Sequence, residues 1–260
     1  MLNETAIQTG VGDAWTVRVV DDVESTNDAL KSRPVGSIPE ALFAEYQSAG
    51  RGRRANAWLA PRGKDILMSV ALRPPADFCQ WARATTLAAV AVCESIEAET
   101  PLQPSIKWPN DVFIGNRKVA GLLAETCSFG EKSQLVLGIG LNVNSESFPG
   151  GVGATATSLR MELGSRAARP LDREGMAIRL LHRLQVRLGE IDDGFESALR
   201  EARIRSWLFG KQVRARVRDA WVHGRGIDLD REGGLILELA DGSRTTLISA
   251  DEVRLTGQGG

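Results

Sequence analysis

At 260 residues the chain has room for one large domain, or a large and a small one, and for a core that keeps roughly 70–75% of the extended surface from water. Its 43% hydrophobic and 25% charged residues are globular usage and exclude a disordered chain. With 32 Lys and Arg against 33 Asp and Glu, the formal net charge of −1 gives no global pull toward nucleic acid or anionic lipid. No apolar run reaches the ~18 residues of a membrane helix, and the N-terminus has no basic stretch followed by an apolar one. A cytoplasmic protein with no membrane association is expected.

Thr16–Val20 reads as a strand, and Ser25 or Thr26 as the N-cap of a helix through Leu30. Ala41–Tyr46 has strand length, and Ile66–Leu72 alternates only weakly but reads as a strand. Between them, Gln47 to Lys64 is polar. Trp81–Ile96, rich in Ala without Gly or Pro, reads as a buried helix. Strands at Ser105–Trp108, Asp111–Ile114, Val119–Thr126 and Gln134–Asn142 follow as hairpins, with Gly115-Asn116 as one turn. A loop over Ser145–Thr157 centres on Pro149-Gly150-Gly151. Leu171–Ile191 carries an apolar stripe at helical spacing, and Phe195–Trp207 is a second helix. The period then changes from about 3.6 to 2. Val213–Val217, Gly226–Leu229, Leu235–Leu239 and Thr245–Ile248 are short strands of a small barrel-like unit, too small for a deep ligand pocket. The division falls at residues 1–208 and 209–260.

Cys79, Cys93 and Cys127 lie in apolar surroundings and read as small buried hydrophobes. Only His182 and His223 occur, neither at metal-ligand spacing to a cysteine, so the chemistry must run without thiol, histidine or a fixed metal site. The informative segment is Gln47-Ser48-Ala49-Gly50-Arg51-Gly52-Arg53-Arg54-Ala55-Asn56-Ala57-Trp58. From Gln47 to Lys64 stand five basic residues (Arg51, Arg53, Arg54, Arg62, Lys64) and no acidic one. Glycine lets backbone approach a ligand, and guanidinium forks suit phosphate or carboxylate. A solvated loop and a nucleic-acid patch are the competing readings. Like charges on such a loop would repel until an anion arrives. Lys107-Trp108-Pro109-Asn110-Asp111 and Arg117-Lys118-Val119-Ala120-Gly121 bracket a hairpin. There Lys107, Asp111 and Lys118 form either an ion-pair set or a carboxylate that orients an amine beside phosphate-holding lysines. Gly138-Ile139-Gly140-Leu141-Asn142 lacks a third glycine and a following helix, so it marks close packing rather than a dinucleotide loop.

In order and spacing these blocks, with Ser25-Thr26-Asn27, resemble the biotin protein ligases. The likeness spans about residues 20 to 145, and the C-terminal barrel fits it too. It implies an α+β fold with a mixed sheet flanked by helices, as in class II synthetase-type ligases, and a C-terminal SH3-like β-barrel. It also implies that biotin and MgATP give biotinyl-5′-AMP and pyrophosphate, after which a lysine of a biotin carboxyl carrier protein, in acetyl-CoA carboxylase or a related enzyme, attacks the mixed anhydride. By the same resemblance Ser25, Thr26, Asn27 and Gln47 hold the biotin head with Gly121 and backbone help from the Arg51-Gly52-Arg53 loop, and Arg51 and Arg53 screen the carboxylate and phosphate. Lys118 holds the biotin carboxyl oxygen and the α-phosphate. Trp58 lies near adenine, Asn110 and Asn142 near the nucleotide phosphates and ribose, and Asp111 near the incoming amine. Lys118, Asp111 and Arg53 are then the catalytic set, with Mg²⁺ carried by ATP. The family usually continues its arginine loop with Gly-Arg or Gly-Lys where Ala55-Asn56 stand here. Only about 20 residues precede the first motif, too few for the DNA-binding helix-turn-helix of repressor-type members, so no DNA partner is expected. Homodimerisation is left open. A lipoate or octanoate ligase shares the fold without the arginine loop and is the alternative enzyme.

Overall fold

Ile66–Leu72 is buried along its whole length, and in the computed structural model it is a central strand, as a two-sided apolar run should be. The structure describes residues 1–34, 36–73, 81–130, 132–149 and 154–256. Seven strands form the main sheet: β1 (Thr16–Val23), β2 (Glu40–Gln47), β3 (Ile66–Leu72), β4 (Pro104–Lys107), β5 (Asp111–Ile114), β6 (Arg117–Phe129) and β7 (Lys132–Leu141). Their spatial order is β1-β2-β3-β7-β6-β5-β4. β1 and β2 are parallel, joined by a crossover containing the short helix α2 (Thr26–Lys31), and the other pairings are antiparallel. The sheet is therefore mixed, as expected.

The two faces differ. Against one pack α3 (Trp81–Glu99), α5 (Arg173–Leu188) and α6 (Phe195–Ile204), with α1 (Glu4–Val11) against α5, closing the main core around Phe43, Met68, Leu87, Ile96 and Leu180. On the other face α2 covers a small cluster of Leu30, Leu42, Ala71 and Val136. That thinly covered face carries the candidate site.

β8 (Gln212–Val217), β9 (Ala220–Leu229), β10 (Leu235–Glu238), β11 (Arg244–Leu247) and β12 (Glu252–Leu255) form a separate antiparallel sheet in the order β11-β10-β9-β8-β12, consistent with an SH3-like unit. Its turns use Gly233 and Gly242 at positive φ, where glycine carries no side-chain clash. Trp108 Nε1 donates to Gly233 O at 3.0 Å and Arg83 pairs with Glu232 at 2.6 Å, fixing this sheet against the first.

Three elements were not expected: α1, the short helix α4 (Leu159–Leu163) and β12. α1 has only two buried residues, Ile7 and Val11, too few for an apolar stripe. β9 begins at Ala220 rather than Gly226, because its first half is largely exposed and carries Trp221, His223 and Arg225 instead of apolar alternation. Cys93 is fully buried, and burial pushes its thiol strongly up. Cys127 is only half-buried, a correction to the expected interior position. Cys79, Gly150 and Gly151 lie outside the described residues. Among those residues no helix is long and apolar enough to cross a membrane.

Candidate functional site

Three glycines make the floor. Register places Gly138 between Ser69 and Leu123, and Gly140 between Leu67 and Gly121, which in turn faces Asp111. Side chains two apart on a strand share a face, so Gly121, Gly138 and Gly140 leave one patch of sheet without side chains. Asn27 fills the space over Gly138, and the Trp58 indole lies over Gly140 and Gly121. A Cβ at Gly121 would come within 2.8 Å of both Trp58 and Lys118 Nζ. The expected close packing at this motif is present, and what packs there is polar or aromatic.

Ser25 caps α2, as expected, by accepting from Asp28 N, and the next residue begins the polar wall. Thr26 donates to Gln47 Oε1 through its backbone N at 2.8 Å and its hydroxyl at 3.0 Å, and its Oγ1 lies 2.7 Å from Ser69 Oγ. Ser69 donates to Asn27 Oδ1 at 2.5 Å, while Asn27 Nδ2 donates to Glu125 at 2.8 Å. These side chains are held on three sides before any ligand is considered. Because Asn27 is so fixed, Gly138→Ala must collide with its Oδ1. Overpacking of this kind costs about 1–3 kcal/mol, and a denaturant melt should show a loss of that size. An unchanged midpoint would mean that Asn27 yields freely.

The arginine loop folds on itself. Gly52 N donates to Asn56 O at 2.7 Å and Trp58 N to Gly50 O at 2.8 Å, with a single helical turn, Arg53–Ala55, at the tip. The expectation of five mutually repelling charges is corrected here. Arg51 bridges Asp28 at 2.6 Å and Glu125 at 2.8 Å, Arg62 pairs with Asp21 and Asp22, and Arg54 pairs with Asp251. Burial pushes the Glu125 carboxyl up, but Asn27, Lys31 and Arg51 outweigh it and hold it below the ordinary glutamate range. Among the described residues Arg53 has no carboxylate within ion-pair distance, only a long contact from Nη1 to Asn110 Oδ1 at 3.4 Å. Burial lowers its hold on the proton, Asp111 opposes that, and Arg54 adds to it. Arg53 and Lys64 are thus the two cations of this stretch without a carboxylate at ion-pair distance among the described residues, and of the two only Arg53 lines the glycine-floored cavity.

Lys118 comes from the facing hairpin. A register shift between Val112 and Phe113 pairs Val112 with Ala120 but Phe113 with Lys118, a bulge that re-aims the β6 side chains beside the site. Lys118 N donates to Thr155 O, and Lys118 O accepts from Thr157 N, both at 2.8 Å, so its backbone is pinned from outside the sheet as well. Its Nζ lies 2.6 Å from Asp111 Oδ1 and 5.3 Å from the Trp58 ring centre. Asn110 is locked onto β6 by Nδ2 donating to Leu122 O at 2.8 Å. Lys107 does not join the ion pair. Its Nζ lies 5.1 Å from the Phe113 ring centre and 5.6 Å from that of Trp207, and burial lowers its proton affinity.

One cavity is lined by Ser25, Thr26, Asn27, Gln47, Arg51, Gly52, Arg53, Lys118 and Gly121, all nine residues expected around biotin, with Met68, Leu122, Leu123 and Ile139 as its apolar part. Trp58 and Asn110 line it too. Asn142 does not. It lines an adjoining cavity with Trp58, Lys118, Phe148 and Thr155, and its Nδ2 donates to Thr157 O at 2.9 Å. Asp111 lines neither cavity and reaches them through Lys118. Arg51 Nε, Trp58 Nε1 and Asn142 Oδ1 are buried without hydrogen-bond partners among the described residues. Such atoms cost stability unless something polar binds them. Sequence reasoning missed Ser69 and Glu125. Ser69 was detectable as the single hydroxyl inside an apolar strand. Glu125 carries no local signal, since its partners stand 74 to 98 residues away in sequence.

The profile of the Biotin/lipoate A/B protein ligase family matches residues 20–142, and that of the biotin protein ligase C-terminal domain matches residues 208–251. The chain is 35% identical over 253 residues to the biotin–[acetyl-CoA-carboxylase] ligase of Mycobacterium tuberculosis, covering 94% of this chain and 91% of that protein. This chain belongs to the biotin protein ligases. It is also 32% identical to the bifunctional ligase/repressor BirA of Bacillus subtilis, over 89% of this chain and 71% of that one. The Aquifex aeolicus biotin protein ligase, solved in complex with biotin and ATP, superposes with a TM-score of 0.80 at 25% identity, covering 92% of this chain and 99% of its own.

Proposed function

We propose that this biotin protein ligase binds biotin in the glycine-floored cavity and the nucleotide in the cavity beyond Trp58, joining them at Lys118. The observation that carries this reading is the charge pattern at the boundary. Among the described residues Arg53 has no carboxylate partner, and Lys118 shares with Trp58 the position of lining both cavities. A neutral wall of Thr26, Asn27 and Gln47 suits a ureido group, which both donates and accepts hydrogen bonds. The apolar lining suits a thioether ring and an alkyl tail. The tail's carboxylate then meets a triphosphate, two anions that repel unless cations stand between them.

In the first step a biotin carboxylate oxygen bonds to the α-phosphorus of MgATP and pyrophosphate leaves. In the second the lysine ε-amine of a biotin carboxyl carrier domain attacks the acyl carbon, AMP departs and the amine loses a proton. The name of the Mycobacterium tuberculosis relative points to acetyl-CoA carboxylase as the protein that bears this lysine. The supporting division is a catalytic part over residues 1–208 and a C-terminal part over 209–260, acting in the cytoplasm. Among the described residues the two cavities are lined by cations, amides, hydroxyls and apolar groups rather than a thiol or histidine, and the proposed route relies on positioning.

The test is mass spectrometry and pyrophosphate detection with each substrate omitted in turn. Release of pyrophosphate and appearance of biotinyl-AMP are expected only when biotin, ATP and Mg²⁺ are all present. Equal turnover with lipoate, or none with biotin, would overturn the reading.

A further inference from the structure

The tip of the arginine loop is held from the other sheet. Arg54 stands at that tip with φ 56° and ψ 46°, the left-handed region that residues with a side chain seldom adopt. Such a backbone persists where its surroundings over-determine it. The surroundings here are few. Within the loop the tip is closed by Asn56 N donating to Arg53 O at 3.2 Å, and outside it the Arg54 guanidinium pairs with Asp251. Asp251 is itself anchored. Ala250 before it is buried in the C-terminal unit, and its own backbone N donates to Arg216 O on β8 at 2.7 Å. Its Oδ2 is buried with no hydrogen-bond partner, so among the described residues the carboxylate is paired with Arg54 alone.

Arg53, the adjacent residue, lines the cavity, whereas Arg54 does not. Two neighbouring guanidiniums would compete for any anion bound there. Drawing Arg54 out to Asp251 neutralises one of them and leaves Arg53 to act on the substrate. The field at Arg53 registers both neighbours, with Asp111 favouring its charge and Arg54 opposing it.

We propose that Asp251 of the C-terminal unit is a positioning residue for the ligase site: by holding Arg54 it fixes the loop tip, so that Arg53 is presented to the biotin carboxylate and the α-phosphate. The C-terminal sheet thereby acts on substrate affinity without contributing a group to the cavity. The kinetic part of the inference rests on the ligase reading, and the structural part does not.

The experiment uses the full chain with Asp251→Asn, Arg54→Ala, the double variant and Asp251→Glu. In ligand-free protein, hydrogen exchange at the Gly52, Asn56 and Trp58 amides should quicken in both single variants, while β6 and β7 stay protected and the melting point holds. In pyrophosphate release, the KM values for biotin and ATP should rise about three- to thirtyfold in each single variant, with kcat changed less, a size within what contacting pairs give in double-mutant cycles. The double variant should be no worse than the worse single one, and Asp251→Glu should recover most of the affinity. Losses that multiply in the double variant, or loop exchange unchanged in Asp251→Asn, would overturn the proposal. Quickened loop exchange with no biotin-dependent pyrophosphate release in the unaltered protein would leave the latch standing and sink the ligase reading.

Discussion

Replacing Lys118 with alanine should slow formation of biotinyl-AMP by about 10²–10³-fold, the loss seen when one preorganised donor to a developing charge is removed. Lys118 Nζ stands 5.3 Å from the Trp58 ring centre and lines both cavities, the place where the proposed reaction brings the carboxylate and the α-phosphate together. Negative charge on the bridging oxygens grows as pyrophosphate begins to leave, so an ammonium there helps the transition state more than the separated substrates. Folding should barely notice. The pair with Asp111 keeps 31% and 22% of its side chains exposed, and such partly exposed pairs contribute about 0–1 kcal/mol. The backbone bonds from Thr157 and to Thr155 do not depend on the side chain. Single-turnover quench measurements of adenylate, beside a melting curve, check this. A loss below about tenfold, or a loss that tracks a fallen melting point, would remove Lys118 from the chemistry. Lys118→Arg should recover only part of the rate, because a planar fork cannot replace a compact ammonium at a crowded boundary.

How much of this was legible beforehand depends on whether the determining contacts are local. Ile66–Leu72 and Asp111–Ile114 have the bounds their sequences suggest, because buried runs and turn residues are local signals. The polar motifs around α2, the arginine loop and the β5–β6 hairpin do converge, as the resemblance implies. The charge state of the loop was not legible. Its five cations look unbalanced along the chain, yet Asp21, Asp22, Asp28, Glu125 and Asp251 reach three of them across the fold. Sequence spacing cannot show that, and it matters for chemistry: the number of cations free to meet an anion is set by tertiary pairing rather than by composition. The bulge that re-aims Lys118 was equally hidden, since Arg117-Lys118-Val119-Ala120-Gly121 contains no irregular residue at the shift.

Asp111→Asn should separate the two half-reactions, slowing transfer from preformed biotinyl-AMP by about 10²–10⁴-fold while adenylation falls much less. Asp111 lies at the start of β5, opposite Lys107 and Gly121, and its Oδ1 pairs with Lys118 at 2.6 Å. That pair supports a second role, in which the carboxylate only holds the lysine. Asparagine tells the roles apart. Its amide oxygen keeps a negative dipole facing Lys118 Nζ where the carboxylate oxygen stood at 2.6 Å, so the lysine keeps its direction and the first step keeps most of its rate. What is lost is the negative charge that can orient an incoming ammonium and ease removal of its proton once AMP begins to leave. Loss of that charge also strengthens the field of Lys118 and Arg53 on anions, which tends to preserve adenylation. If Asp111 served only to hold the hairpin, both steps would fall together and the melting point with them. Single-turnover kinetics on each half-reaction, using purified adenylate and a carrier domain for the second, decide between these. Equal losses with a lowered melting point would make Asp111 structural, whereas slow transfer at an unchanged melting point would place its charge beside the acceptor amine.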